Sequence, residues 1–165
     1  MLPSIQAVWT DARVRAARAH IERSDEATLA RQKSLSEIPA PTGAERARGE
    51  RVAQLLADAG LHDTTVDGVG NVRAWYGIGE SDADCVVLAA HLDTVFGPEL
   101  DVSVSRRGAR LEGPGIADNA RGLAALVAVA EALAHARVQT RRPVLFAATV
   151  GEEGSGDLRG VRHLL

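Results

Sequence analysis

Val144-Leu145-Phe146-Ala147-Ala148-Thr149-Val150, followed by Gly151-Glu152-Glu153-Gly154, is the stretch that decides how this chain is read. The first seven residues form an apolar run of the kind found in buried strands. Two adjacent carboxylates follow directly. Burying an ionised carboxylate without a partner is strongly unfavourable. A bound cation is the simplest compensator, because divalent metals take oxygen ligands. Adjacent residues on an extended backbone point to opposite sides. Here the chain is turning, and Gly151 and Gly154 permit dihedrals that other residues avoid. Both carboxylates can then serve one site, one binding metal and the other handling a proton.

Working outward, the 165 residues suffice for one domain with a core. A composition of 45% hydrophobic and 25% charged residues is ordinary for a globular protein. The net charge of −3 leaves no basic excess to neutralise phosphates, so nucleic acid is not an expected partner. Cys85 is the single cysteine, which excludes an internal disulfide; its apolar setting reads as core. Met1 to Ile21 carries charges throughout and lacks the apolar segment of a signal peptide. No run is long enough to span a bilayer. The expectation is a soluble, cytoplasmic protein with no membrane partner.

Ile5, Val8, Trp9 and Ala12 follow helical spacing, and a second helix is predicted through Leu29 to Leu35. Ile38-Pro39-Ala40-Pro41 breaks it. Thr42-Gly43-Ala44-Glu45 matches a capping box for a helix that buries Val52, Leu55, Leu56 and Ala59 and stops at Gly60. Thr64 to Asp67 and Val72 to Ile78 read as strands around a turn at Gly68-Val69-Gly70-Asn71. Gly77 to Asp84 reads as a polar loop. The continuous apolar run Cys85 to Ala90 predicts a central strand covered on both faces. Val102 to Val104 and Arg110 to Glu112 suggest a short hairpin around Arg107-Gly108. A long helix is predicted from about Asn119 to Ala136, and another from Asp157 onward.

Helices alternating with apolar strands predict an α/β fold, a mixed, largely parallel sheet flanked by helices. In such sheets ligands bind beyond the carboxyl ends of the strands. One buried run ends in His91 and Asp93, the other in Glu152 and Glu153, and the loop before the long helix adds Asp118. Singly, each has a plainer reading: a hydrogen-bonded histidine, a helix N-cap, a solvated turn. Together they favour a metal site. Water is a weak nucleophile at neutral pH, and zinc lowers its pKa to about 7. His91 would bind through one ring nitrogen and needs an orienting partner on the other. Asp93 falls on the same side two residues on. It suits a supporting acid, acting on His91 or on the neighbouring site. The remaining glutamate would act as general base.

His91-Leu92-Asp93-Thr94-Val95, Gly113-Pro114-Gly115-Ile116-Ala117-Asp118-Asn119 and Gly151-Glu152-Glu153-Gly154 together resemble the signature segments of a family of co-catalytic zinc hydrolases. Glutamate carboxypeptidase, tripeptide aminopeptidase, acetylornithine deacetylase, succinyl-diaminopimelate desuccinylase and aminoacylase belong to that family. The resemblance runs from about Pro39 to Leu165. It implies a zinc-exopeptidase-like fold and two zinc ions, with cobalt or manganese as alternatives. It implies His91 on one zinc, Glu153 on the other, Asp118 bridging both, Glu152 as general base and Asp93 as the acid that tunes the site. It further implies a cis Asp118–Asn119 peptide. The family's remaining ligands, an acidic residue and a distant histidine, have no counterpart before Leu165. His163 is the one candidate substitute, but it lies in a helical pattern beside Leu164 and Leu165; His20, His62 and His135 lack motif context, and all four are expected to be structural or exposed. Residues 1–165 are therefore expected to be the N-terminal portion of a truncated catalytic domain, without the lid that often mediates dimerisation, and inactive alone.

The function implied is hydrolysis of a peptide or N-acyl amide bond in small peptides or acylated amino acids. Asp157-Leu158-Arg159-Gly160-Val161 leans towards the aminopeptidase-type members. The alternatives are an N-acyl amino acid deacylase and a non-catalytic binding or regulatory domain. A homodimer is a partner option for the longer protein.

Overall fold

The computed structural model describes residues 3–78 and 84–165, so the middle of the expected loop Gly77 to Asp84 lies outside the described residues. Three helices open the chain: α1 (Ile5–Thr10), α2 (Ala12–Arg23) and α3 (Asp25–Ser36). Asp11 separates the first two, and its carboxylate caps α2 by accepting from the N–H groups of Arg13 and Val14. After α4 (Arg46–Asp58) come the strands β1 (His62–Val66), β2 (Val72–Tyr76) and β3 (Val86–His91). A small hairpin, β4 (Ser105–Arg107) with β5 (Arg110–Glu112), precedes α5 (Ala120–His135), β6 (Val144–Thr149) and α6 (Arg159–Leu164).

The four long strands form one sheet in the order β1-β2-β6-β3. It is mixed and flanked by helices, as expected. Parallel pairing is confined, among the described strands, to β3 with β6, which the α5 crossover joins. The β1–β2 and β2–β6 pairs are antiparallel; for β1–β2 the reason is the short turn at Asp67–Gly70, which can only return the chain. Asp67 builds that turn, its Oδ1 accepting from the N–H groups of Val69, Gly70 and Asn71.

The centre of the sheet belongs to β6, every residue of which is buried. Its alternate residues Val144, Phe146 and Ala148 join Leu35, Val52, Leu56, Leu123 and Val127 in the main core. On the other face, Leu145 is the register partner of Trp75, and both are buried. The apolar run Cys85 to Ala90 does not form the expected central, doubly covered strand. It forms the edge strand β3, with Val86 and Val87 46% and 37% exposed. The reason is topological: β6 inserts between β2 and β3, leaving β3 one strand neighbour. An apolar run reports avoidance of water, not sheet position.

The expected capping box also fails. Glu45 sits at the head of α4 in helical conformation without a side-chain cap, and Thr42 lies before the helix. Both side chains are drawn elsewhere, as described below. On the buried stripe of the same helix lies Arg48, only 1% exposed and without a carboxylate among its hydrogen-bond partners. Its guanidinium donates to the carbonyls of Ile38 at 2.6 Å and Leu92 at 2.7 Å, and more weakly to Ser36 at 3.4 Å. Burial pushes its pKa down to about 10, opposed by the negative charge of Asp93, so it stays protonated at neutral pH.

Replacing Arg48 by methionine keeps the apolar stem but leaves these buried carbonyls without donors. At ~1–3 kcal/mol for a stranded buried polar group, the variant is expected to lose about 2–4 kcal/mol of stability in urea unfolding. A loss below about 0.5 kcal/mol would show that water replaces the guanidinium.

Candidate metal centre

The candidate residues converge beyond the carboxyl ends of β3 and β6, which run parallel with His91 opposite Thr149. Leu92 N–H continues the pairing to the Thr149 carbonyl at 2.7 Å. His91, Asp118 and Glu153 each offer a ligand atom, and these atoms all lie within 4.8 Å of one another. Among the described residues, this is the only such group found. Asp118 arrives on the loop before α5, and its peptide to Asn119 is cis, as the resemblance implied. That loop is held by α3: Gln32 donates to the Ile116 carbonyl at 2.7 Å and Ser36 to the Pro114 carbonyl at 2.8 Å.

The donor chemistry of this group suits a divalent cation. His91 Nδ1 lies 3.0 Å from the Asp93 backbone carbonyl, an acceptor, so a hydrogen bond there requires the proton on Nδ1. The lone pair of Nε2 then faces Asp118 Oδ1 at 2.9 Å. Two acceptors in that arrangement need a shared proton or a cation. Glu153 gives a second sign. Partial burial and the neighbouring charges of Glu152 and Asp118 push its carboxyl above the usual range, with His91 opposing. A cation would relieve this crowding of like charge. Glu152 stands beside the group, its Oε2 3.9 Å from His91 Nε2.

The fully buried Asp93 answers the question left open by its spacing. Its carbonyl, not its carboxylate, orients His91; the carboxylate Oδ1 is 3.6 Å from Nδ1, too far for a hydrogen bond. The carboxylate instead accepts from Glu152 N–H (Oδ1, 3.0 Å), Glu153 N–H (Oδ2, 3.0 Å) and the Thr42 hydroxyl (Oδ2, 2.9 Å). Burial pushes the Asp93 carboxyl up, but these hydrogen bonds outweigh it and hold the group below its ordinary range.

Two more side chains, Asn71 and Glu45, fix the segment just before the paired glutamates. Asn71 Oδ1 accepts from Val150 N–H at 3.0 Å, and its Nδ2 donates to the Gly160 carbonyl at 2.9 Å. Glu45 Oε1 accepts from Gly151 N–H at 3.1 Å and pairs with Arg159 at 2.8 Å. Gly151 has φ +60°, and a side chain there would strike the Arg159 guanidinium. Asn71 reads in sequence as a turn residue and Glu45 as a cap. Only Arg48 carried a usable signal, a charge on an apolar helical stripe.

The remaining histidines lie elsewhere. His163 Nε2 is 3.9 Å from Asp67 and outside the converging group. His20 and His135 stack with ring centroids 4.4 Å apart, and His62 contacts Asp63. A cavity of about 290 Å³ opens beside Glu153, walled by Pro41, Thr42, Thr94, Val95 and Phe96. Larger hollows of about 530 and 710 Å³ lie elsewhere, but among the described residues neither gathers metal-ligating groups. Side-chain chemistry, not volume, locates the site.

Among solved structures, the fold is similar to human carnosine dipeptidase 1 (TM-score 0.70, 16% identity, 88% of this chain and 36% of that one). It is also similar to aminopeptidase PepT from Bacillus cereus (TM-score 0.65, 21% identity, 78% of this chain and 37% of that one). In sequence, the chain is 34% identical over 132 residues to a protein of Pyrococcus abyssi described as a LysW-lysine/LysW-ornithine hydrolase, covering 80% of this chain and 34% of that protein. It is 29% identical over 133 residues to a succinyl-diaminopimelate desuccinylase of Herminiimonas arsenicoxydans, covering 77% and 35%. The chain thus spans about a third of the length of these curated relatives. Residues 71–165, which include His91, Asp93, Asp118, Glu152 and Glu153, match the model for peptidase family M28, and the chain belongs to that family.

Proposed function

We propose that this chain carries part of the site of a metal-dependent hydrolase that cleaves a peptide or N-acyl amide bond in small peptides or acylated amino acids. The observation that supports it best is the convergence of His91, Asp118 and Glu153 beside Glu152. His91, Asp118 and Glu153 would hold the metal, with Asp118 shared where two ions bind; zinc is the first choice, and cobalt or manganese would satisfy the same donors. Once bound, the metal supplies Lewis-acid activation of water and of the scissile carbonyl.

The chain's own residues do the rest. Glu152 takes the proton of the attacking water on a carboxylate oxygen and delivers it to the departing amine nitrogen. Asp93 holds Nδ1–H of His91 through its carbonyl, which leaves Nε2 free to donate its lone pair. Its carboxylate fixes the peptides that carry both glutamates. The cavity walled by Pro41, Val95 and Phe96 gives an uncharged substrate group room beside Glu153.

A second reading is narrower: an N-acyl amino acid deacylase. The names of the two curated relatives favour it, since one is a desuccinylase of succinyl-diaminopimelate and the other a hydrolase of LysW-lysine and LysW-ornithine. On the full-length protein, N-succinyl and N-acetyl amino acids set against di- and tripeptides separate the readings; preference for the acylated amino acids selects the deacylase.

Zinc content after dialysis tests the site directly. The wild-type chain should retain zinc and Asp118→Ala should lose it; equal content in both would sink the assignment. With turnover by the full-length protein on the best amide of the panel, Glu152→Gln should fall by on the order of 10²–10⁴-fold while keeping its zinc. Undiminished turnover would remove Glu152 from proton transfer. Asp93 makes a pH prediction. Its folded pKa is depressed, so its contribution to stability is present above the ordinary aspartate value of about 3.9 and fades as pH falls through the folded value. Urea unfolding from pH 7 to pH 3 should therefore lose stability more steeply below about pH 4 in the wild type than in Asp93→Asn. Parallel curves would show that Asp93 titrates alike in both states.

A further inference from the structure

Beyond β6, four consecutive backbone N–H groups, Val150 to Glu153, are received by side chains rather than by a strand. Asn71 takes the first, Glu45 the second, and the two oxygens of Asp93 the third and fourth. Glu45 is only 4% exposed. Its Oε1 receives three donors: Gly43 N–H at 2.9 Å, Gly151 N–H at 3.1 Å and the Arg159 guanidinium at 2.8 Å. A buried carboxylate so satisfied is a fixed point, since each donor would be stranded if it moved. Thr42 plays the corresponding part on Asp93. Its hydroxyl donates to Oδ2, the same oxygen that receives Glu153 N–H. The bridge between Pro41 and Thr94 and the bond from Thr94 N–H to the Ala40 carbonyl at 2.9 Å carry Thr42 to that place. Neither Thr42 nor Glu45 caps α4, and neither belongs to the ligand group.

We infer that Glu45 and Thr42 are positioning residues for the paired glutamates: Glu45 anchors the peptide from which Glu152 departs, and Thr42 anchors the Asp93 carboxylate that holds the peptides of Glu152 and Glu153. This role rests on the proposed reading of Glu153 as metal ligand and Glu152 as proton carrier. Capping residues would affect the helix alone. These two affect where the carboxylates stand.

The test pairs a variant that removes each acceptor or donor with one that restores it: Glu45→Met against Glu45→Gln, and Thr42→Val against Thr42→Ser. Glu50→Gln, on the exposed face of α4, is the control. Two readouts are taken on the whole chain. Hydrogen exchange of the Gly151, Glu152 and Glu153 amides in metal-free protein reads the position of the strand end. Cobalt(II) affinity, from its visible absorption, reads the site. Glu45→Met and Thr42→Val should each weaken cobalt binding about 10–100-fold, the usual effect of losing a group that orients a ligand. They should also speed exchange at the amides they support. Glu45→Gln and Thr42→Ser should stay near wild type on both readouts. Should Glu45→Met fail to fold, the threonine pair still decides. Cobalt affinity unchanged in Thr42→Val, or lost equally in Thr42→Ser, would overturn the positioning role alone. A wild type that binds no more cobalt than Asp118→Ala would overturn the metal reading, and this role with it.

Discussion

The constraint on which the site depends is the accounting of four backbone amides just past the end of β6. A strand that ends in the interior leaves N–H groups that must find acceptors or cost free energy. Here the acceptors are Asn71, Glu45 and Asp93, sent from the β1–β2 turn, the head of α4 and the end of β3. The requirement for acceptors therefore draws three distant parts of the chain to one point. Glu152 and Glu153 leave that point with their backbone already fixed.

The polar core around this point is arranged in layers. Arg48 joins the segment before α4 to the Leu92 carbonyl, and the negative charge of Asp93 favours its ionised form. Asp93 divides its two functions between backbone and side chain: the carbonyl orients His91 and the carboxylate orients the glutamates. One buried residue thus ties His91 at the end of β3 to Glu152 and Glu153 following β6. Hydrophobic burial of β6 against α4 and α5 supplies the rigid base, and the hydrogen bonds supply the aim.

Charge explains why this edge of the sheet suits a cation. Asp118, Glu152 and Glu153 crowd one histidine, and the pKa of Glu153 rises through partial burial and then the like charges of Glu152 and Asp118. Asp93, equally acidic and more deeply buried, moves the other way because donors surround it. Two carboxylates of similar intrinsic pKa are separated by their surroundings, one held as a stable anion and one short of positive charge.

The sequence by itself determined the class of fold, the existence and approximate bounds of most helices and strands, and the five residues that gather at the site. Apolar periodicity and glycine placement report local structure, and carboxylates or a histidine at strand ends report an energetic cost that needs an explanation. The tertiary structure alone decided the rest. The run Cys85 to Ala90 is apolar whether the strand is central or at an edge, and only the insertion of β6 made it an edge. Thr42 and Glu45 have the spacing of a capping box, yet the amide of Gly151 and the carboxylate of Asp93 offered them better-placed partners across the fold. Hydrogen bonds between residues more than fifty positions apart leave no local pattern to read, because their partners meet only after the core has packed.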